Sequence, residues 1–363
     1  MAQINTEQKQ RINLSVNAQD VIDNDRELFG PDLTKTGFFN ELLSRVAPYA
    51  QASITETLER RREEYLSCLE RTGLDEKTLQ KVLSSLLRPL REALIEKAEC
   101  SVKGNSVTFR LNNQNTKNFY PENWKDGKYY DQKPSRYLKA VLEEYAQHTL
   151  YEREALYFHE WITLTGLAIQ SGDRIRFTSV SSSGKEREWD MRVYGILPND
   201  GALFHYAVGY AVPKGGAKAE EKIASFRICR IRSLKILSGE TSRSGKLTRT
   251  EKTKIEEKLQ KDRVQFLVGE HEDCVVRLSE EGKRAYRSTQ YMKPALSYID
   301  EAGDYHFDCS PAQIVQYFYK FGRRALVLQP ESARQRLAEE YRDAYEAYTA
   351  ADGAMGTGPA AWQ

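Results

Sequence analysis

Cysteine is scarce in this chain of 363 residues, and the five present (Cys68, Cys100, Cys229, Cys274 and Cys309) form no Cys-x-x-Cys pair. Such scatter supports neither a zinc site nor a disulfide framework. The five histidines are as dispersed, and His159-Glu160 lacks the second histidine that a zinc-binding helix needs. No Gly-rich phosphate loop is present; Gly215-Gly216 reads as a hairpin turn. No serine or cysteine stands in a recognisable nucleophile context, and Glu152 and Glu154 flank Arg153 in a pattern of helix charge pairing rather than acid–base catalysis. The expectation is a protein that is not an enzyme, with no catalytic residues, no metal and no cofactor. The segment Met1-Ala-Gln-Ile-Asn-Thr-Glu7 lacks a signal peptide's apolar stretch, and no apolar run is long enough to span a bilayer. No membrane is expected, and a reducing cytoplasm is the expected location.

An excess of one charge is missing too. Lysine and arginine number 54 against 52 acids, a net +2, so nucleic-acid binding would have to come from local clusters. What is abundant is core-forming material, 40% hydrophobic residues, and tyrosine, 21 against four tryptophans. Tyrosine joins an apolar ring to a hydroxyl and suits interfaces. The length admits two or three domains.

The most informative stretch runs Trp189-Asp-Met-Arg192-Val-Tyr-Gly-Ile-Leu-Pro198, then Phe204-His205-Tyr206-Ala207-Val-Gly-Tyr210, then Phe226-Arg227-Ile-Cys-Arg230-Ile231. Apolar alternation broken by Pro-Asn-Asp-Gly predicts strand, turn, strand, and a further strand holding two arginines. A guanidinium in a short-stranded barrel must reach water or an anion. Arg227 and Arg230 would face opposite sides of a regular strand, so a turn near Cys229 is inferred.

The first third carries a diverged repeat. Arg11-Ile-Asn-Leu-Ser-Val16-Asn17 and Ser106-Val-Thr-Phe-Arg-Leu111-Asn112 alternate alike. Each is followed by a polar stretch and a helical run, Thr36 to Ala47 and Ser135 to Ala146, opened by a hydroxyl residue placed to cap it. Each copy, 10–50 and 105–147, reads as strand, helix, helix. A helical insert at 54–99 separates them, broken near Thr72-Gly73, and its run Glu59-Arg-Arg-Arg-Glu-Glu64 reads as a solvated helix face. With Ile12, Leu14, Val16, Val107, Phe109 and Leu111 inward, the outward residues are Arg11, Asn13 and Ser15 with Ser106, Thr108 and Arg110. Paired antiparallel, these make a donor-rich ribbon able to meet phosphates and base edges.

A connecting helix is expected at 151–172, a barrel at 173–238 and, at 239–263, a linker running into a short Lys/Glu-rich helix. Residues 264–350 read as βαββαβ, with strands at Cys274–Ser279, Ala295–Ile299, Asp304–Asp308 and Arg324–Gln329, the order of a ferredoxin-like sandwich. Ser310-Pro-Ala-Gln313 is a capping box, and 351–363 a disordered tail.

Three resemblances follow. Strand–helix–helix with a polar-faced strand, over 1–150, resembles the ribbon-helix-helix family of nucleic-acid-binding proteins, both halves lying in one chain. That family's second helix offers its N-terminus to a phosphate, which would fall at Thr36-Gly37 and Ser135-Arg136. Residues 170–237 resemble the WYL domain, an Sm-like β-barrel, through Tyr206 in His205-Tyr206-Ala207 and the intact Phe226-Arg227-Ile-Cys-Arg230-Ile231. The resemblance implies an anionic ligand or nucleic acid at Arg192, His205, Tyr206, Arg227 and Arg230. Phe321-Gly-Arg-Arg-Ala-Leu-Val-Leu-Gln-Pro-Glu331 resembles the dimerising extension after WYL domains. The expected fold class is α+β multidomain: ribbon-helix-helix-like domain, Sm-like barrel, ferredoxin-like sandwich. This order resembles the WYL accessory proteins of type VI-D CRISPR–Cas systems. That implies a homodimeric regulator in antiviral defence that binds single-stranded RNA and stimulates RNA cleavage by the effector. The alternative is a DNA-binding transcription regulator whose WYL domain senses a small anion or nucleotide.

Overall fold

The computed structural model describes residues 9–69, 73–99, 104–119, 124–181, 184–199, 201–214, 220–237, 245–267 and 272–354. The expected turn at Gly215-Gly216, residues 239–244 of the expected linker and 355–363 of the expected tail lie outside them. The chain forms two compact units: Met1–Leu164 with Leu203–His205 and Ile228–Arg230, and Thr165–Ala202 with Tyr206–Arg227 and Ile231–Gln363. The folding is mixed α+β with antiparallel sheets. Among the described residues no helix is long and apolar enough to cross a membrane.

In the first unit, β1 (Lys9–Leu14) and β2 (Asn105–Arg110) pair antiparallel, with Arg11 opposite Thr108 and Asn13 opposite Ser106. Between them run α1 (Val16–Phe29), α2 (Lys35–Val46), α3 (Ile54–Leu69) and α4 (Glu76–Glu99). After β2 come α5 (Asn113–Phe119), α6 (Pro134–Gln147), α7 (Leu150–Tyr157) and α8 (His159–Ser171), of which the residues from Thr165 on belong to the second unit. Ile12, Leu14, Val107 and Phe109 are buried, and Phe109 stacks on Phe39 of α2 at 4.9 Å. The buried stripe of α1 is Ala18, Ile22, Asp25 and Phe29. Asp25 tolerates that core position because Arg153 Nε and the Tyr145 hydroxyl both donate to its Oδ2 at 2.6 Å.

Several local expectations are corrected here. The first strand stops at Leu14, and Val16 opens α1 instead of facing the core. Thr34, not Thr36, caps α2, accepting from the Gly37 N–H at 3.1 Å. At α6, Lys133 holds the cap position without a side-chain bond and Pro134 fills the first turn, so Ser135 caps nothing. The connecting helix is two helices, α7 and α8. Glu152 forms a capping box with Thr149, while Arg153 pairs with Asp25, not with its neighbours.

The second unit holds β3 (Arg174–Val180), β4 (Glu186–Pro198), β5 (His205–Pro213), β6 (Lys222–Arg227) and β7 (Ile231–Leu237), in the lateral order β6-β5-β4-β3-β7. The expected barrel is not closed: no ladder joins edge strands β6 and β7 among the described residues. The sheet nonetheless curls. Only residues 228–230 separate β6 from β7, a reach of at most ~14 Å, whereas a flat sheet would hold its edges ~19 Å apart. Phe226 of β6 meets Phe177 of β3 edge-on at 4.9 Å and Trp189 of β4 at 5.0 Å, a packing only a folded-over sheet allows. Gly209 permits the close approach of β5 to β4, since a Cβ there would fall 2.0 Å from the Arg192 carbonyl oxygen.

The helix expected at the end of the linker is α9 (Arg249–Asp262), capped by Thr248 with Glu251. Its Ile255 is fully buried with Val208, Val264 and Leu267. Then come β8 (Glu272–Leu278), α10 (Glu280–Ser288), β9 (Tyr298–Ile299), β10 (Tyr305–Cys309), α11 (Pro311–Phe318), β11 (Ala325–Gln329) and α12 (Glu331–Ala354). The sheet order is β11-β8-β10-β9, every neighbour antiparallel, which with βαββαβ chain order is the split βαβ arrangement. Ser310 caps α11 by accepting from the Gln313 N–H. Strand β9 is shorter than expected, and residues 351–354, assigned to the tail, continue α12.

Candidate nucleic-acid interface

Pleating sends alternate residues of β1 and β2 to opposite faces. Lys9, Arg11, Asn13, Ser106, Thr108 and Arg110 are all exposed on the outer face of the ribbon. Lys9 stands directly opposite Arg110, and among the described residues of the two strands no acid points to this face. Arg11 Nε donates to Ser106 Oγ at 2.8 Å, which orients the guanidinium and leaves its remaining donors outward.

Two clamps hold the strand ends, each supplied by the other copy. The Ser15 N–H and Oγ donate to the Glu143 carboxylate of α6 at 2.6 and 2.7 Å. Asn40 of α2 donates to the Arg110 carbonyl and accepts from the Asn112 N–H, both at 2.8 Å. Ser15 is thus the N-cap of α1, accepting from the Ala18 N–H at 3.1 Å, and does not lie on the ribbon face where the alternation put it. Lys9 was hidden from the sequence reading because polar Gln10 fills an inward position, with 5% exposed.

The residues singled out in the central stretch are dispersed. Tyr206 and Arg227 are direct cross-strand partners, both half-buried, and Tyr206 packs beside the Val208–Ile255 cluster. Arg192 is committed within the chain: Nη2 lies 2.7 Å from Glu221 and 2.6 Å from Glu251, and the guanidinium carbon sits 5.2 Å from the Tyr210 ring centre. The Arg192 guanidinium, with the Thr248 cap, holds the Glu251 carboxyl down at about 2. Arg176 grips Asp190 with two parallel bonds of 2.6 and 2.7 Å, and Arg174 meets Glu221 at 2.5 Å. His205 is buried, stacked on Tyr151 at 3.7 Å, with Nδ1 2.9 Å from Glu154. The turn inferred near Cys229 is a 3-10 turn, Ile228–Arg230; Arg230 is exposed and its side chain makes no hydrogen bond or ion pair among the described residues.

Glu154 had been read as one member of a surface charge pattern. It is fully buried, and its carboxylate accepts from the backbone N–H groups of His205 and Cys229 at 2.5 and 3.2 Å. Its partners lie 51 and 75 positions away, so no local pattern announces it. Among the described residues no group of three or more His, Cys, Asp or Glu side chains is placed to hold a metal ion.

No protein-family model and no curated protein matches the sequence. Among solved structures, the proteasome accessory factor B/C of Arthrobacter aurescens aligns with a TM-score of 0.29 and 13% identity, covering 91% of this chain and 48% of that one. The fold is similar to the crystal structure of a CRISPR Cas-related protein, with a TM-score of 0.67 and 22% identity over 94% of each chain.

Proposed function

We propose that the chain is a non-enzymatic, cytoplasmic accessory regulator that binds single-stranded RNA and stimulates RNA cleavage by a type VI-D CRISPR–Cas effector, acting as a homodimer through its C-terminal domain. The observation that carries this reading is the outer face of the ribbon. Three cations and three neutral hydrogen-bonding side chains of the two strands stand there, on a frame stiffened by the Glu143 and Asn40 clamps. Such a face meets a phosphate backbone by charge and leaves amide and hydroxyl groups for bases. The fold likeness to a CRISPR Cas-related protein across nearly the whole chain supports the choice of system. Exposed Arg230 on its 3-10 turn, and the WYL resemblance around it, support a second contact with the strand.

A second reading, a DNA-binding regulator, is favoured by one observation: a two-stranded antiparallel ribbon has the width of a major groove. A mobility-shift comparison of single-stranded RNA with duplex DNA of matched sequence separates the two. The expected result is a salt-sensitive shift with RNA and faster effector cleavage of RNA when the protein is added. A shift confined to duplex DNA, with no change in effector rate, would establish the second reading instead.

A further inference from the structure

The helical insert encloses space that the two strand–helix–helix copies do not need for their own packing. A cavity of about 250 Å3 lies in the first unit, walled on one side by α3 and α4 and on the other by the end of α2, α6 and α7. Helix α3 turns Thr57, Arg60, Arg61 and Glu64 toward it, spaced i, i+3, i+4 and i+7. On a helix that only packs, this stripe would be apolar. Here it carries two guanidiniums, and only Ile54 and Thr57 of α3 are buried. Glu64 holds Arg61 at 2.5 Å, while the side chain of exposed Arg60 makes no hydrogen bond or close ion pair among the described residues and feels the Glu56 carboxylate one turn back.

The remaining wall has a different chemistry. Val46, Leu90 and Leu156 supply apolar surface, and Tyr49, 40% exposed, presents a ring braced at 4.5 Å by His159. The Glu144 carboxylate at the cavity is turned to the N–H groups of Gln51 and Ala52, at 2.7 and 2.9 Å. Apolar floor, aromatic edge and a guanidinium rim together match a flat heteroaromatic ring bearing a phosphate. The volume admits one base with its sugar and excludes a duplex.

We propose that this cavity binds a single nucleotide unit, its base against the floor and Tyr49, its phosphate on Arg60. The ligand is either a free mononucleotide or one nucleotide of an RNA strand, and the latter rests on the RNA-binding reading above. The insert then has a function of its own, and the Glu59–Glu64 charge run is part of a site.

The test is calorimetric titration of the full chain with AMP, GMP, CMP, UMP and a single-stranded RNA oligonucleotide. Wild type is compared with Arg60→Glu, Tyr49→Ala and Arg62→Glu, each checked for folding by circular dichroism. Arg62 contacts Gln80 at 3.3 Å and does not line the cavity, so its variant controls for bulk charge. A free-nucleotide site gives saturable mononucleotide binding, weakened about tenfold by Arg60→Glu, about fivefold by Tyr49→Ala and not by Arg62→Glu. A strand-borne nucleotide gives no mononucleotide binding but a loss of about fivefold in RNA affinity in the first two variants alone. If no ligand distinguishes Arg60→Glu from Arg62→Glu, the cavity is no nucleotide site. RNA binding that survives these variants yet fails on replacing Lys9, Arg11 and Arg110 would overturn the cavity alone. Mononucleotide binding without any RNA binding would overturn the RNA reading alone.

Discussion

On the ribbon, Lys9, Arg11 and Arg110 share an outward face to which the described residues of the two strands contribute no carboxylate. On the curled sheet, Arg174, Arg176 and Arg192 each meet a carboxylate at 2.5–2.6 Å. One residue type serves opposite ends in the two places. A guanidinium already held by two acids has little charge left for a ligand, and removing it strands those acids. A guanidinium facing solvent contributes little to stability and is available to an anion. The arginine itself does not decide which role it plays; the acids within its reach do.

Replacing Lys9, Arg11 and Arg110 together with alanine is expected to lower single-stranded RNA affinity about a hundredfold at about 0.1 M salt. The slope of log K against log salt should flatten by about two, and urea stability should stay within about 0.5 kcal/mol. Equal loss of RNA affinity in a triple alanine variant of Arg174, Arg176 and Arg192 would erase the distinction between the regions. Arg192→Ala alone should do the reverse of the ribbon variant, lowering urea stability by about 2 kcal/mol while RNA affinity holds within about twofold. Glu143→Ala joins the two effects on a smaller scale. Releasing Ser15 should destabilise by about 1 kcal/mol and weaken RNA binding a few-fold by loosening the end of β1.

The smallest effect is one of pH. The Glu251 carboxyl is held at about 2 against an ordinary 4.5, chiefly by Arg192. Its contribution to stability is present above pH 4.5 and is lost as pH falls toward about 2. The stability gap between wild type and Arg192→Ala should therefore shrink across that interval, as urea titrations at stepped pH will read. A gap that stays constant or widens would mean that Glu251 is not the partner that matters.

What the sequence made legible follows the range of the interactions. Alternation over a few residues located both ribbon strands and five of their outward side chains, because pleating is a local property. The boundaries failed where a local rule had a competitor. Ser15 was better used as a cap held by Glu143, and Pro134 opened α6 ahead of Ser135. The barrel arginines were legible as arginines and illegible as partners, since Glu221 and Glu251 lie 29 and 59 positions from Arg192. Helix α9 was legible as a short Lys/Glu-rich helix at the end of the linker, while its packing, which depends on Ile255 and a few half-buried neighbours, was not.

The crossed clamps have a consequence for how the molecule comes to exist. Arg11 and Ser106 sit 95 positions apart, so the ribbon cannot form until most of the first unit has been synthesised and folded. Each half borrows the fastening of its strand from the other, through Glu143 in one direction and Asn40 in the other. Neither half has a finished structure to adopt alone. They behave as two partners whose meeting is assured by the chain between them, at an effective concentration that dilution cannot lower. A ribbon assembled from separate subunits comes apart when its protein becomes scarce; this one persists in a single molecule.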